Sequence, residues 1–164
     1  MFFLIGIFVV SLLASCQTIE NGWKGIKPLH TNRIVVEKIL GPAKVNDSGY
    51  YYYDYNTEDA YIQVNYSTAP CQDDKYKRGK FNVAENTVLD YSVILKNAVR
   101  ITDFEFDKKK YYKETGGDVL NLATYRNYED GVAIGVTLKK HDEIVNPIRF
   151  QPAKNDATKF ACKK

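Results

Sequence analysis

The chain of 164 residues is poor in the side chains that most often carry chemistry. It has two histidines, one tryptophan, one methionine and three cysteines. No Gly-x-Ser-x-Gly nucleophile elbow, phosphate-cradling glycine loop or His-Glu-x-x-His pair occurs in it. His30 stands just before a helix start, and His141 lies in the charged turn Lys139-Lys140-His141-Asp142-Glu143. Neither has a cysteine at ligand spacing, which argues against zinc, and both read as surface residues rather than catalytic bases. Carboxylate pairs such as Asp103/Glu105 are ordinary on strands, and spacing alone does not make them an acid and a nucleophile. No cofactor motif and no metal site is expected.

Excess charge is also missing. The formal net charge is +3, with basic and acidic residues interleaved. The densest basic run, Lys108-Lys109-Lys110-Tyr111-Tyr112-Lys113, is flanked by Asp103, Glu105, Asp107 and Glu114. It reads as a solvated strand or turn, and no nucleic-acid partner is expected.

Apolar length is short as well. Residues 2–13 form an uncharged, largely apolar run interrupted by Ser11, well below the ~20 residues of a membrane-spanning helix. Its dimensions are those of a signal-peptide core. Leu13-Ala14-Ser15-Cys16 follows at once and resembles the bacterial lipobox, in which the cysteine is lipidated and becomes the mature N-terminus. The competing reading is ordinary signal cleavage, with Ala14 at −3 and Cys16 at −1. Residues 1–15 are thus expected to be a lipoprotein-type signal peptide, 16–22 a tether, and 23–164 a single domain. Gln17 after the cysteine would suit outer-membrane sorting in a source with two membranes. With Cys16 spent on lipid, Cys71 and Cys162 remain as an even pair, and an exported chain meets an oxidising compartment, so these two should form a disulfide.

What the chain does have is tyrosine, at 13 residues, and a hydrophobic content of 45%, enough for a core. The element that organises the rest is the segment from Pro28 to Pro42. Thr31 is placed as its N-cap, and Val35, Val36, Ile39 and Leu40 recur at the three-and-four spacing of one helix face. Gly41-Pro42 is a hard stop. A helix of this length does not persist alone in water, so its apolar face needs a partner surface. Trp23, Ile26 and Leu29 are expected to pack near its start.

Strands supply that surface. Residues 49–55 are nearly all tyrosine, and the polar turn 56–59 separates them from 60–66, which predicts an antiparallel hairpin. In the second strand Ala60, Ile62, Val64 and Tyr66 share one face, the mark of a sheet with one wet side. In the first, Tyr51, Tyr53 and Tyr55 cannot share a side with Tyr50 and Tyr52. Residues 87–96 form the clearest strand, with Leu89, Tyr91, Val93 and Leu95 in alternation. Residues 99–114 read two ways, since Phe104 and Phe106 alternate as in a strand while Thr102-Asp103 suits a short helical turn. A second hairpin is expected over 119–138, turning at Glu129-Asp130-Gly131, and then a strand at 144–150 in which Pro147 marks an edge or a bulge. The tail, 152–164, should be untethered without the bridge at Cys162. The fold class expected is α+β, predominantly β, a short helix packed on an antiparallel sheet; hairpin–loop–hairpin is compatible with two related halves.

At Gly22-Trp23-Lys24-Gly25-Ile26-Lys27-Pro28-Leu29, Thr31-Asn32-Arg33, Val36-Glu37 and Leu40-Gly41-Pro42 the sequence resembles a family of uncharacterised exported bacterial proteins. Members run G-W-x-G-I-x-P-L-x-S-T-R-x-x-V-E-x-L-L-G-P-P, continue through a Pro-Cys loop and end at a cysteine like Cys162. This chain departs from the pattern at Thr31-Asn32 and at Ala43. More distantly, the Val36…Leu40-Gly41-Pro42 arrangement is similar to the helix signature of the small lipoprotein of the β-barrel assembly machinery and of β-lactamase-inhibitor-like folds. That resemblance implies short helices on an antiparallel sheet and action by binding proteins.

The function expected is a lipid-anchored, exported, non-catalytic binding or scaffold module of the bacterial envelope. It would meet the membrane through Cys16 and an envelope protein through Tyr51, Tyr53 and Tyr55, since tyrosine offers contact area with a polar tip. The alternatives are a secreted inhibitor-like protein and an exported hydrolase of cell-wall or glycan material. The hydrolase requires a pocket with two convergent carboxylates or a histidine pair.

Overall fold

The computed structural model describes residues 22–47, 50–55, 60–71, 79–116, 121–139 and 142–163. The apolar leader, Cys16, the turn at 56–59 and His141 lie outside them. Helix α1 spans Arg33–Leu40 and α2 Lys154–Lys159. The strands are β1 (Val45–Asp47), β2 (Tyr50–Tyr55), β3 (Ala60–Tyr66), β4 (Val88–Leu95), β5 (Val99–Arg100), β6 (Tyr112–Thr115), β7 (Leu122–Asn127), β8 (Val132–Lys139) and β9 (Asp142–Phe150). All pair antiparallel in one sheet of order β1-β2-β3-β4-β9-β8-β7-β6, with β5 alongside β9. The fold is therefore α+β and predominantly β. Two four-stranded meanders meet through their last strands, at Tyr91↔Phe150, Ser92↔Arg149 and Val93↔Ile148.

Strand alternation divides the sheet into a dry face and an open one. The dry rows run through Tyr53, Ile62, Val93, Ile148 and Ile134, and through Val64, Tyr91, Phe150 and Val132; all are buried. Val36, Ile39 and Leu40 of α1, Trp23, Ile26, Phe104 and Phe106 pack against them. Two expectations about α1 change. Val35 is 43% exposed, beside Ile34 at 78%, so the buried face is Val36, Ile39 and Leu40. The N-cap is Asn32, whose side chain accepts from the Val35 N–H at 3.1 Å. Thr31 is drawn into the preceding turn instead: its hydroxyl accepts from the Lys27 N–H at 2.8 Å and its carbonyl from the Val88 N–H at 2.8 Å. Gly41 ends the helix at φ 82°, ψ −177°, a region open essentially to glycine alone.

Tyr91 fastens the segment before α1 to the sheet. Its hydroxyl accepts from the Trp23 N–H at 2.7 Å and donates to the Ile26 carbonyl at 2.9 Å, while its ring stacks on Phe150 at 4.6 Å. Tyr53 and Tyr66 share a hydroxyl–hydroxyl hydrogen bond of 2.9 Å in the core. Burial pushes the phenols of Tyr53, Tyr66 and Tyr91 up, each as the leading cause. Unfolded tyrosine ionises near pH ~10, so these three contribute stability that is complete below that pH and is lost as pH climbs above it. The midpoint of urea unfolding is expected to stay level between about pH 7 and 9 and fall steeply above ~10, with a shallower fall in Tyr66→Phe. A midpoint level to pH ~12 would contradict this reading.

The ambiguous stretch resolves into 3-10 turns at Ile101–Asp103 and Lys108–Lys110, with Asp107 accepting from the Lys109 N–H at 3.1 Å. Pro147 lies in β9, in the middle of the sheet rather than at its edge. Asn146 and Pro147 together oppose Gly135, between the pairs Ile134↔Ile148 and Val136↔Val145, so it is the bulge that admits the proline. A second register shift, at Asn65/Tyr66, sets Val88 opposite Tyr66 and buries it fully, where simple alternation in β4 pointed to Leu89.

The tail is held by more than its cysteine. The His30 Nε2 lies 2.9 Å from an Asp156 carboxylate oxygen, and its ring meets Phe160 edge-on at 5.2 Å. The Phe160 carbonyl accepts from the Asn82 N–H at 2.7 Å, and the Cys162 N–H donates to the Lys80 carbonyl at 3.0 Å.

Candidate binding groove on the open sheet face

The candidate site follows from strand parity. If Tyr53, Ile62, Val93 and Ile148 face the core, their sequence neighbours face away from it. Pairing aligns those neighbours in one row across the sheet: Tyr52, Gln63, Ser92, Arg149, Ala133, Arg126 and Tyr112. At the junction of the two meanders this open face sinks into a groove of ≈ 350 Å³. Gln63, Ser92, Arg149 and Arg126 line it from that row, with Tyr50, Asp90 and Gln151 beside them.

Its floor is polar and enclosed. Asp90 is 5% exposed and accepts from the Asn65 side-chain amide at 3.1 Å; Ser92 is 8% exposed. Arg126 is steered from the far side, its Nε donating to Glu114 at 2.5 Å while the Tyr128 hydroxyl donates to the other Glu114 oxygen at 2.5 Å. The Tyr128 hydroxyl first, and Arg126 second, hold the Glu114 carboxyl below its ordinary range. By contrast, Gln63, Ser92, Arg149 and Gln151 make no side-chain hydrogen bond or ion pair among the described residues. Such an arrangement can bind; it presents donors and acceptors together, but only one carboxylate.

The residues singled out from sequence land in different places. Tyr53 is fully buried with its hydroxyl on Tyr66, so it belongs to the core and presents nothing to a partner. Tyr51 is half-buried, edge-on to Tyr66 at 5.1 Å and under the Arg33 guanidinium at 4.3 Å. Tyr55 is described through its backbone, which pairs with Ala60. The tyrosines on the open face are the other row, Tyr50 and Tyr52. Period-two alternation separates the two rows, but which one faces outward depends on where α1 packs, and no signal within 49–55 encodes that. Cys71 and Cys162 form a disulfide, S–S 2.02 Å, across a separation of 91 residues. The basic run at 108–113 stays at the surface apart from Tyr111, and Lys113 pairs with Glu143. Among the described residues no three His, Cys, Asp or Glu side chains are grouped to hold a metal, and no helix is long and apolar enough to cross a membrane.

No protein-family model matches the chain, and no curated protein matches it. One similar solved structure is the crystal structure of a DUF4309 family protein (YjgB) from Bacillus subtilis subsp. subtilis str. 168, at 10% identity and a TM-score of 0.49. The match covers 80% of this chain and 84% of that one. It is a distant structural neighbour, and nothing in these comparisons supports the motif at 22–42 as a family signature.

Proposed function

We propose that the chain is a lipid-anchored, exported, non-catalytic binding module of the bacterial envelope, and that its working surface is the open face of the sheet. The observation that carries the binding reading is the groove at the β4–β9 junction, where Gln63, Ser92 and Arg149 stand in line with no intramolecular side-chain partner among the described residues. Polar side chains that line a groove and make no bond within the fold can take up a ligand without breaking one. The Cys71–Cys162 bridge supports export, because such bonds persist in oxidising compartments. The lipobox-like Leu13-Ala14-Ser15-Cys16 supports the anchor, and membership of the exported family resembled at 22–42 belongs to the same proposal. A hydrolase of glycan or wall material would need two converging carboxylates or a histidine pair. The groove lining offers one carboxylate, Asp90, already bonded to Asn65, and no histidine, which favours binding over hydrolysis.

Cells producing the full chain and fed a labelled fatty acid provide the test. Wild type is expected to carry the label and to sediment with membranes, and Cys16→Ala to lose both. Wild type without label, partitioning like the variant, would overturn the anchor and leave simple secretion.

A further inference from the structure

We propose that the groove binds a carboxylate-bearing saccharide, with Arg149 taking the carboxylate and Gln63, Ser92 and Gln151 taking ring hydroxyls. This rests on the reading of the open face as a binding surface and names the ligand class for it. Gln63, Ser92 and Arg149 are consecutive cross-strand partners on β3, β4 and β9. Their backbones are therefore spaced about 4.8 Å apart in a line perpendicular to the strands. Beyond Arg149 the row continues through Ala133, whose small side chain leaves a gap before Arg126. The result is a track across the strands with a planar cation at each side of a dip.

The chemistry of the lining selects the ligand. The amides of Gln63 and Gln151 and the hydroxyl of Ser92 each donate and accept, which is what a vicinal hydroxyl pair demands. A guanidinium with no partner of its own among the described residues offers a bidentate fork for a carboxylate. Arg126 is committed to Glu114, so Arg149 is the one available for that exchange. Tyr50 also lines the groove and brings an aromatic ring to it. A peptide fits less well. Peptide strands gain affinity by main-chain pairing at a sheet edge, whereas this groove lies on the face of the central strands, and side-chain anchors require apolar pockets that this lining lacks. The volume of ≈ 350 Å³ suits a unit or two of an oligosaccharide and is too small for a folded partner.

Titration calorimetry on the oxidised full-length chain tests the assignment. The probes are oligogalacturonate, a hyaluronan hexasaccharide and sialyllactose, each beside its neutral counterpart, with tetraglutamate as the peptide. At least one acidic saccharide is expected to bind, about tenfold or more tighter than its neutral counterpart. Arg149→Gln should erase that preference without moving the urea midpoint, since the side chain holds nothing else. Ser92→Ala should weaken the acidic and neutral saccharides alike. A preference that survives Arg149→Gln, or tetraglutamate binding as tightly as the saccharides, overturns the assignment. So does silence from all three acidic saccharides. If envelope protein is then captured by wild type and lost in Arg149→Gln, the binding-module reading stands without the saccharide; if nothing is captured, both fall.

Discussion

Replacing Cys71 and Cys162 together by alanine is expected to lower the unfolding free energy by about 4–5 kcal/mol, a large share of what a domain of this size possesses. The size of the effect follows from the chain between them. The bridge closes 91 residues, and in the loop-entropy model the loss of freedom it imposes on the unfolded chain grows with the logarithm of that span. In the folded state it locks a segment that ends in one short helix, six residues long. Urea unfolding of the oxidised protein, the reduced protein and the double variant reads the effect directly, and the last two should coincide. The other tail contacts set the competing expectation. His30 with Asp156, the Asn82 amide on Phe160 and the Cys162 amide on Lys80 already seat the tail. Should the double variant lose less than ~1 kcal/mol, those contacts and not the crosslink hold the C-terminus.

Gly131→Ala is expected to be nearly as damaging, at about 3–5 kcal/mol. Two separate costs meet at this residue. Its φ of 70° is one that an L side chain adopts with strain. A β-carbon there would also lie 2.2 Å from the Gln151 carbonyl oxygen and 2.8 Å from that of Pro152. Both are backbone atoms that cannot swing away, because the Gln151 N–H donates to the Gly131 carbonyl at 2.7 Å. Gly41→Ala separates the two costs. Gly41 has φ of 82° but nothing within 4 Å of an added β-carbon, so only the backbone strain applies, about 1–3 kcal/mol. Urea midpoints of the two variants, measured side by side, give the steric part as their difference. Equal losses would mean that the approach of the 151–153 backbone is not what requires glycine at the second hairpin.

Asp130-Gly131 also marks how far the sequence could be read. Its turn chemistry announced the hairpin of β7 and β8, because a positive φ is a local demand that local residues reveal. The crowding from residue 151 is not local, and nothing near 131 encodes it. The same division runs through the rest of the fold. Gly41-Pro42 stopped α1, and the alternation of Ala60, Ile62, Val64 and Tyr66 gave the dry face of β3, each from its own segment. Local capping chemistry pointed to Thr31, but the cap is Asn32, because Thr31 pairs with Val88, which is 57 residues away. Residues 99–114 were ambiguous because 3-10 turns leave neither a two-residue nor a 3.6-residue period. Of the groove, sequence exposed only the ingredient that one tyrosine row must face outward. Gln63, Ser92 and Arg149 lie on three strands far apart in the chain, and it is register alone that lines them up.

The way the two meanders join bears on how the molecule assembles. Strands β1 to β4 and β6 to β9 each zip between near neighbours in sequence, so each half can form quickly from hairpins. The junction pairs residues 91–93 with 148–150, and it is a short ladder that has to wait for a wide excursion of chain to close. Mutations at Val93 or Ile148 should therefore act mainly by speeding unfolding, whereas equal damage inside either hairpin stack should slow folding more. Whatever lodges over Ser92 and Arg149 would clasp the last seam to close and the first to part, so occupancy should retard unfolding.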